Sequence, residues 1–312
     1  MQSRSGIKFS WMMILLVGLS SDLARGDTPS YTIVRYTPAS KQEAQAAIDQ
    51  YKKDAAQVAE HLHLHFEAME TDHFLIFTDW DPREYHFLKE NVEAAYTAVC
   101  HQFDASPNEN VFIGKLPIYM FSSHPDFEKF SAEIDHIKLS KMVAGYYSGD
   151  SSGVGHMAMW KPDVEAAGGN VHLAERQWAY VLTHEFTHAY VAHYRTNVFL
   201  PRWLSEGVAE VVANRQFPKA NIYDYVHRLA ASGYKIERLF EHKDLASFTA
   251  NDYPIAQTIV EALVHDDPRV FLKYFNDIKD GMDPDDALKK EYHTDSDGLQ
   301  KAWKSYALTL RG

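Results

Sequence analysis

Three side chains capable of metal chemistry lie close together in the sequence: His184, Glu185 and His188. Apolar residues recur around them at helical spacing, which predicts a helix over residues 171–194. On a helix the two histidines share one face, one turn apart, so both rings can bind a single metal ion at about 2.0–2.1 Å. Glu185 is rotated by about 100° from His184. It is therefore placed to reach a water on the metal instead of the metal itself.

A catalytic zinc site also needs a third protein ligand and an open fourth position. The pattern HExxHxxGxxH would take that ligand from position 194, but Tyr194 stands there and Val191 replaces the glycine, which excludes a metzincin. Downstream, Glu206 and Glu210 lie four residues apart in the run PRWLSEGVAE, which predicts a second helix. Seventeen residues separate His188 from Glu206, enough for the chain to turn and return.

The WLSEG run around Glu206 resembles the WLNEG motif of the aminopeptidase-N-like gluzincins, zinc peptidases that bind the metal by two histidines and one glutamate. The resemblance implies that Glu206 is the third zinc ligand. Glu210 falls where thermolysin-like enzymes have a carboxylate that accepts a hydrogen bond from a ligand imidazole, and we assign it to His184. The closest overall resemblance is to the bacterial peptidase-MA-like gluzincins. It extends from about residue 74 to the C-terminus, but only the region from His184 to Glu210 is specific.

This resemblance implies a peptidase with one zinc ion per chain. Zinc lowers the pKa of a water to about 7, and Glu185 accepts its proton and delivers it to the leaving amine. In aminopeptidase-like gluzincins a tyrosine on a later helix, in the pattern Tyr-x-x-Gly or Tyr-x-x-Ala, donates to the oxyanion. Tyr253, followed by Ala256, fits that pattern. The alternative for Tyr253 is simple packing before an apolar helix.

The segment GHMAM contains Gly155, Met157 and Ala158 and begins 29 residues before His184. It resembles the Gly-x-Met-Glu-Asn segment of aminopeptidase-like gluzincins, an edge strand beside the substrate. We therefore expect these three residues to bind substrate. Ala158 stands where those enzymes have the glutamate that holds the free N-terminal amine of the peptide. An edge strand without that carboxylate can still pair with a peptide backbone, which predicts internal cleavage.

The elements around these motifs divide the chain near residue 170. Before it, apolar patterns predict helices at 43–59 and 82–100, strands at 73–78, 116–121 and 156–160, and a glycine- and serine-rich loop at 145–155. After it, helix signals dominate, with Asn170, Asp267 and Asp283 as predicted N-caps. The sequence therefore predicts an α+β subdomain over 27–169, which includes the edge strand, and a helical subdomain over 170–312.

The N-terminus carries basic residues, then a short apolar run, then Ala24-Arg25-Gly26, which predicts a signal peptide over residues 1–26. The apolar run is too short for a bilayer-spanning helix, so no stable membrane anchor is expected after cleavage. We expect a secreted or periplasmic protein. The formal net charge of −12 disfavours binding to phosphate backbones, so nucleic acid is excluded as a partner.

These patterns predict an α+β fold with a mixed α/β N-terminal subdomain and a mainly helical C-terminal subdomain. The resemblance implies that it is a thermolysin-like zincin with zinc in the cleft between the two. The expected function is zinc-dependent hydrolysis of a peptide or protein substrate, with internal cleavage favoured. Two alternatives stay open. One is a non-catalytic exported binding protein stabilised by zinc, against which Glu185 argues, since a structural site needs no base. The other is a zinc hydrolase of a non-peptide amide or ester.

Overall fold

The structure is a computed structural model that describes residues 32–139, 143–150, 154–219, 221–240 and 248–310. These residues form an α+β fold with one five-stranded sheet. The predicted signal peptide lies outside the described residues. No helix in the described part of the chain combines the length and the apolar character that crossing a membrane would require.

The sheet contains both parallel and antiparallel strands. In chain order the strands are β1 (Glu67–Glu70), β2 (Phe74–Thr78), β3 (Leu116–Phe121), β4 (Gly145–Gly149) and β5 (Gly155–Trp160). Their order across the sheet is β1-β2-β3-β5-β4. The three central strands run parallel, whereas β1 and β4 are antiparallel to their neighbours and form the two edges. The predicted strand at 116–121 is confirmed, and the one predicted at 73–78 begins one residue later.

The prediction of an edge strand at 156–160 is wrong, because that segment belongs to β5, which lies between β3 and β4 inside the sheet. The edge is β4, whose residues were assigned to a loop. Its glycines and serine gave no alternation of apolar and polar residues. Its position also depends on pairing with β5, a tertiary contact that a local pattern does not contain.

Helices cover both faces of the sheet. One face packs on α1 (Lys41–Leu62) and α3 (His124–Glu133), and the other on α2 (Tyr85–Gln102) and α4 (Val171–His193). The first predicted helix is confirmed with longer bounds. The second begins with a 3₁₀ turn at Pro82–Glu84 before α2. Since side chains alternate along a strand, β2, β3, β4 and β5 each contribute residues to the apolar layers on both faces of the sheet, whereas β1 contributes only Met69.

The C-terminal half is helical among its described residues, as predicted. After α4 come α5 (Arg202–Gln216), α6 (Asn221–Ser232), α7 (Glu237–Phe240), α8 (Asp252–Asp266), α9 (Pro268–Lys279), α10 (Pro284–Tyr292) and α11 (Ser296–Thr309). The three predicted N-caps are confirmed: the side chains of Asn170, Asp267 and Asp283 each accept from a backbone N–H of the helix that follows. The larger apolar core draws residues from both halves of the chain.

Two close contacts set the position of α5 and α4. A Cβ on Gly207 would lie 2.5 Å from the carbonyl oxygen of Ala256, so only glycine lets α5 approach α8 this closely. For α4, the indole N–H of Trp178 donates to the carbonyl of Trp160 at 2.8 Å, which ties this helix to the end of β5. The helix α5, which carries Glu206, is thus fixed against α8. The helix α4, which carries the two histidines, is fixed against the sheet.

Candidate metal centre

The HExxH segment lies in the middle of α4 and faces the interior. His184 and Glu185 are fully buried, and only 11% of the His188 side chain is exposed. Residues before and after them on α4 pack in the apolar core, which holds the helix rigidly against the sheet. Polar groups at such depth must be satisfied by specific partners, so their contacts define what the site can do.

The third predicted ligand, Glu206, reaches the same point from α5. Its Oε2 lies 3.3 Å from Nε2 of His184 and 3.4 Å from Nε2 of His188, and the two nitrogens lie 3.2 Å apart. Among the described residues, these three form the one group of histidine, cysteine and acidic side chains that converges in a way that fits a metal ion. The structure therefore brings together all three residues expected to bind the metal.

The spacing of these three atoms fits a tetrahedral ion. Ligand atoms held about 2.0–2.1 Å from a tetrahedral zinc lie about 3.3–3.4 Å from one another. The three observed separations run from 3.2 to 3.4 Å. Two nitrogens and one carboxylate oxygen are also a ligand set that zinc accepts in catalytic sites. The residues present thus fit zinc both by distance and by ligand type.

The other nitrogen of each ring lies close to a second polar group, which for His184 is a charge contact without hydrogen-bond geometry. Nδ1 of His184 lies 3.1 Å from Oε1 of Glu210, and Nδ1 of His188 lies 3.1 Å from the hydroxyl of Ser205. A partner that accepts from Nδ1 favours the neutral tautomer with the proton there, which leaves Nε2 free to bind a metal. Both Nε2 atoms then direct lone pairs toward the carboxylate oxygen of Glu206. Three electron-rich atoms facing one another repel unless a proton or a metal cation lies between them.

The charges around the ligands shift their pKa values in directions that fit a cation site. Burial lowers the pKa of His184, but the carboxylates of Glu206 and Glu210 outweigh it and raise that pKa to about 10. Burial also dominates at His188, where it lowers the pKa. The pKa of Glu206 is held well below its usual range, because His188 and Arg202 overcome the effect of burial. The site thus holds Glu206 ionised in the protein interior.

Glu185 lies beside the cluster and has one free oxygen. Its Oε2 accepts a hydrogen bond of 3.3 Å from the backbone N–H of Tyr147 in β4. Its Oε1 is buried and has no hydrogen-bond partner among the described residues. Burial raises the pKa of Glu185 to about 8, against the opposing influence of His184. A buried carboxylate with a raised pKa and a vacant oxygen can accept and return a proton near neutral pH.

Tyr253 lies in the first turn of α8, on the other side of His184. The centroids of the two rings are 6.3 Å apart, and the tyrosine is partly buried. Burial, together with the charge of Glu206, raises its pKa well above the ordinary value. Its hydroxyl therefore remains a proton donor at all physiological pH values. The structure thus brings Tyr253 next to the ligand cluster, as the resemblance implied.

The residues predicted to bind substrate from the GHMAM segment do not line the site. Met157 and Ala158 are fully buried in the sheet, and Ala158 faces the layer of α1 and α3, opposite to α4. Gly155 has a packing role, since a Cβ there would lie 2.5 Å from the hydroxyl of Tyr147. Burial inside the sheet argues against substrate contacts by Met157 and Ala158, whereas the assignment of half-buried Gly155 stays a prediction.

Three residues that sequence reasoning did not assign contact the site. Ser205 meets His188, and Tyr147 meets Glu185, as described above. Arg202 places Nη2 at 2.9 Å from Oε1 of Glu206. Arg202 stands four residues before Glu206, which is a readable ion-pair spacing on a helix. The contact of Tyr147 is tertiary and had no signal in the sequence.

A second network supports Glu210 from behind. The hydroxyl of Tyr180 donates to Oε2 of Glu210, and Nζ of Lys219 lies 3.3 Å from the centroid of the Tyr180 ring. Lys219 also contributes to the lowered pKa of Glu210, where it opposes the effect of burial. Both oxygens of Glu210 are therefore occupied, and the carboxylate is held ionised against His184.

Comparison with known proteins adds no assignment. No protein-family model matches the chain, and no curated protein matches it either. The function must therefore be argued from the chemistry of this site.

Proposed function

We propose that this protein is an exported zinc-dependent peptidase of the gluzincin type, with the thermolysin-like zincin arrangement of its two halves. The observation that carries the proposal is the meeting of three ligand atoms, from His184, His188 and Glu206, beside the vacant oxygen of Glu185. The export part of the proposal rests on the signal-like N-terminal sequence alone.

His184, His188 and Glu206 would hold the zinc ion, and Glu210 and Ser205 would orient the two rings. A zinc ion held there supplies a Lewis acid that makes water nucleophilic near neutral pH. Glu185 would hold and move the proton at Oε1, taking it from the attacking water and returning it to the departing amine. Its other oxygen is anchored by the N–H of Tyr147, so the base stays aimed into the site.

Tyr253 completes the chemistry that the side chains can offer. Peptide hydrolysis places negative charge on the former carbonyl oxygen, and a neutral hydroxyl close by stabilises that charge. Because the pKa of Tyr253 is raised well above its ordinary value, its hydroxyl keeps its proton for this contact. Its position beside His184 supports this role.

The edge strand β4 supports a peptide as the substrate. The backbone bonds from Trp160 to Ala144 and from Asp150 to Val154 fix the alternation of the β4–β5 pairing. By that alternation Gly145, Tyr147 and Gly149 direct their backbone groups away from β5. No described strand pairs with that side of β4.

One of these outward groups already reaches the site, since the N–H of Tyr147 donates to Glu185. The outward edge of β4 therefore runs past the proposed base. An extended peptide pairing with such an edge gains main-chain hydrogen bonds without any sequence requirement. In aminopeptidase-like gluzincins the edge strand beside the substrate has this peptide-pairing role. Here we assign that role to β4 instead of the GHMAM segment.

The two alternatives make different demands on the site. A structural zinc site is closed by four protein ligands, whereas the converging group here supplies three and adjoins a buried carboxylate with a free oxygen. This favours catalysis over a zinc-stabilised binding protein. A hydrolase of non-peptide amides or esters would use the same residues, but it would have no need of the unpaired edge of β4.

The test is to incubate the purified mature protein with a diverse peptide mixture and to identify new termini by mass spectrometry. We expect cleavage that a chelator abolishes and that stoichiometric zinc restores. Magnesium, which prefers oxygen ligands, serves as the matched control and should not restore it. Zinc binding without any cleavage of peptides would support the binding protein, and hydrolysis of esters alone would support the non-peptide hydrolase.

A further inference from the structure

Arg202, at the start of α5, lies against the proposed metal ligand from the side opposite to the histidines. Its Nη2 is 2.9 Å from Oε1 of Glu206, while Oε2 of the same carboxylate faces the two histidine nitrogens. The two oxygens of Glu206 thus face different charged or polar groups. The guanidinium is in turn placed 5.6 Å from the centroid of the Phe248 ring, and 19% of the side chain is exposed.

A carboxylate can bind a metal ion through one oxygen or through both. A glutamate bound through both oxygens would fill the coordination position that a hydrolytic site must leave open for water. Arg202 makes an ion pair with Oε1 at 2.9 Å, an electrostatic contact without hydrogen-bond geometry, and the helix fixes the two residues four positions apart. The positive charge beside Oε1 disfavours a metal ion there and leaves Oε2 to meet it.

We propose that Arg202 is a positioning residue that restricts Glu206 to one-oxygen coordination and thereby keeps the fourth metal position open. The inference rests on the proposed metal site and adds a determinant of its coordination number. Arg202 acts through Glu206 and takes no direct part in bond cleavage. Its positive charge also offsets the carboxylate in a buried setting, where an uncompensated charge is costly.

Cobalt(II) substitution provides a readout that a general structural role would not change. Four-coordinate cobalt absorbs visible light more strongly than five-coordinate cobalt, so the spectrum reports whether Glu206 binds by one oxygen or two. We expect the wild-type protein to give an intense four-coordinate spectrum. Arg202→Met should still bind one cobalt ion but give a weaker, five-coordinate spectrum. Arg202→Lys, which keeps a cationic donor for Oε1, should restore most of the intensity.

Arg215→Met is the matched control on the same helix, because Arg215 bonds to Gln102 Oε1 near the C-terminal end of α5, away from the site. Its spectrum should equal that of the wild type. An unchanged spectrum in Arg202→Met, or loss of cobalt binding in that variant, overturns the proposal. Failure of the wild-type protein itself to take up cobalt or zinc would instead refute the metal site on which the proposal rests.

If Arg202→Met does not fold, X-ray absorption at the zinc edge of the wild-type protein decides the question without a variant. A carboxylate bound through one oxygen keeps its carbon farther from the metal than one bound through both. A spectrum without a close carboxylate carbon supports the proposal. A close carbon, the mark of two-oxygen binding, overturns it.

Discussion

The backbone N–H of Tyr147 donates to Oε2 of Glu185 at 3.3 Å, and this bond joins the edge strand β4 to the middle of α4. It fixes one oxygen of the buried carboxylate and leaves Oε1 without a partner among the described residues. In the proposed peptidase this contact would place the strand edge and the metal ligands beside one substrate. A peptide bound along β4 would be held next to the group that moves the proton.

Glu185→Gln should bind zinc and fold normally but lose peptide hydrolysis. The amide still accepts from Tyr147 through its oxygen, but its nitrogen cannot take a proton from water, so the rate should fall by about 10²–10⁴-fold. Zinc content and the thermal unfolding midpoint serve as controls and should match the wild type. Unchanged turnover would remove Glu185 from the mechanism.

Glu206→Gln should weaken zinc binding far more than Glu210→Gln. The first change removes a charged ligand, whereas the second removes the partner of His184 Nδ1 and should cost about 10–100-fold in affinity. Competition with a chromophoric chelator measures both. Glu261→Gln is the control, since Glu261 is a partly buried carboxylate on α8 bonded to Gln257. Equal losses at 206 and 210 would mean that the ligand and its orienting partner are assigned the wrong way round.

The local part of this site could be read from the sequence. His184 and His188 share a helix face by their spacing alone, and the confirmed helix over α4 places them as expected. Glu206 came from a motif resemblance, and the separation along the chain allowed α5 to return. Helix caps were equally local, because an aspartate before a proline specifies a helix start without help from the rest of the fold.

The missed parts depend on contacts between distant segments. The strand β4 has no apolar alternation of its own, and it becomes the edge only because β5 pairs with β3 on its other side. That arrangement buries Ala158 and moves the peptide-facing edge to residues near Tyr147. The i,i+4 spacing of Arg202 and Glu206 is visible in the sequence. The role of Arg202 at the proposed metal site could be inferred only once the direction of Oε2 of Glu206 was known.

Tyr253→Phe should lower kcat by about 100-fold while leaving KM and zinc affinity near the wild-type values. The hydroxyl donates only to charge that develops in the transition state, so its loss affects the chemical step alone. Tyr292→Phe is a matched control, because that hydroxyl also contacts α8, at the carbonyl of Leu263, but belongs to no part of the site. A fully active Tyr253→Phe protein would assign Tyr253 to packing.

Zinc binding should strengthen as pH rises from about 6 to about 8, because the metal must displace a proton from His184. In the metal-free protein the pKa of His184 is raised from 6.5 to about 10. Its contribution to stability is therefore fully present below pH 6.5 and lost as the pH rises through 10. Calorimetry in buffers of different ionisation enthalpy should detect released protons.

The unfolding midpoint gives an independent check of the same protonation. The metal-free protein should become less stable as the pH rises from 6.5 to about 10, because folded His184 keeps a proton that the unfolded chain releases. The zinc-bound protein should show a smaller decline, because the metal has taken the place of the proton. Zinc affinity that does not vary with pH would contradict the protonated state of His184.

In the proposed peptidase the edge strand would decide whether the site requires a free end of the substrate. The original reason to expect internal cleavage was Ala158 in the position of an amine-binding glutamate, and its burial in β5 removes that reason. The strand that does form the edge gives a new one. Between Gly145 and Gly149, β4 has the sequence GYYSG, which contains no carboxylate to bind a free N-terminal amine.

N-acetylation of a cleaved peptide should therefore leave its cleavage rate about the same, because main-chain pairing along β4 does not require a charged terminus. Rates for the free and acetylated forms, measured by mass spectrometry at equal concentration, test this directly. Loss of cleavage on acetylation would show that an acid outside 145–149 selects the amine. Asp150, exposed at the end of β4, is the first candidate for that acid, and Asp150→Asn would then reduce cleavage of the free peptide.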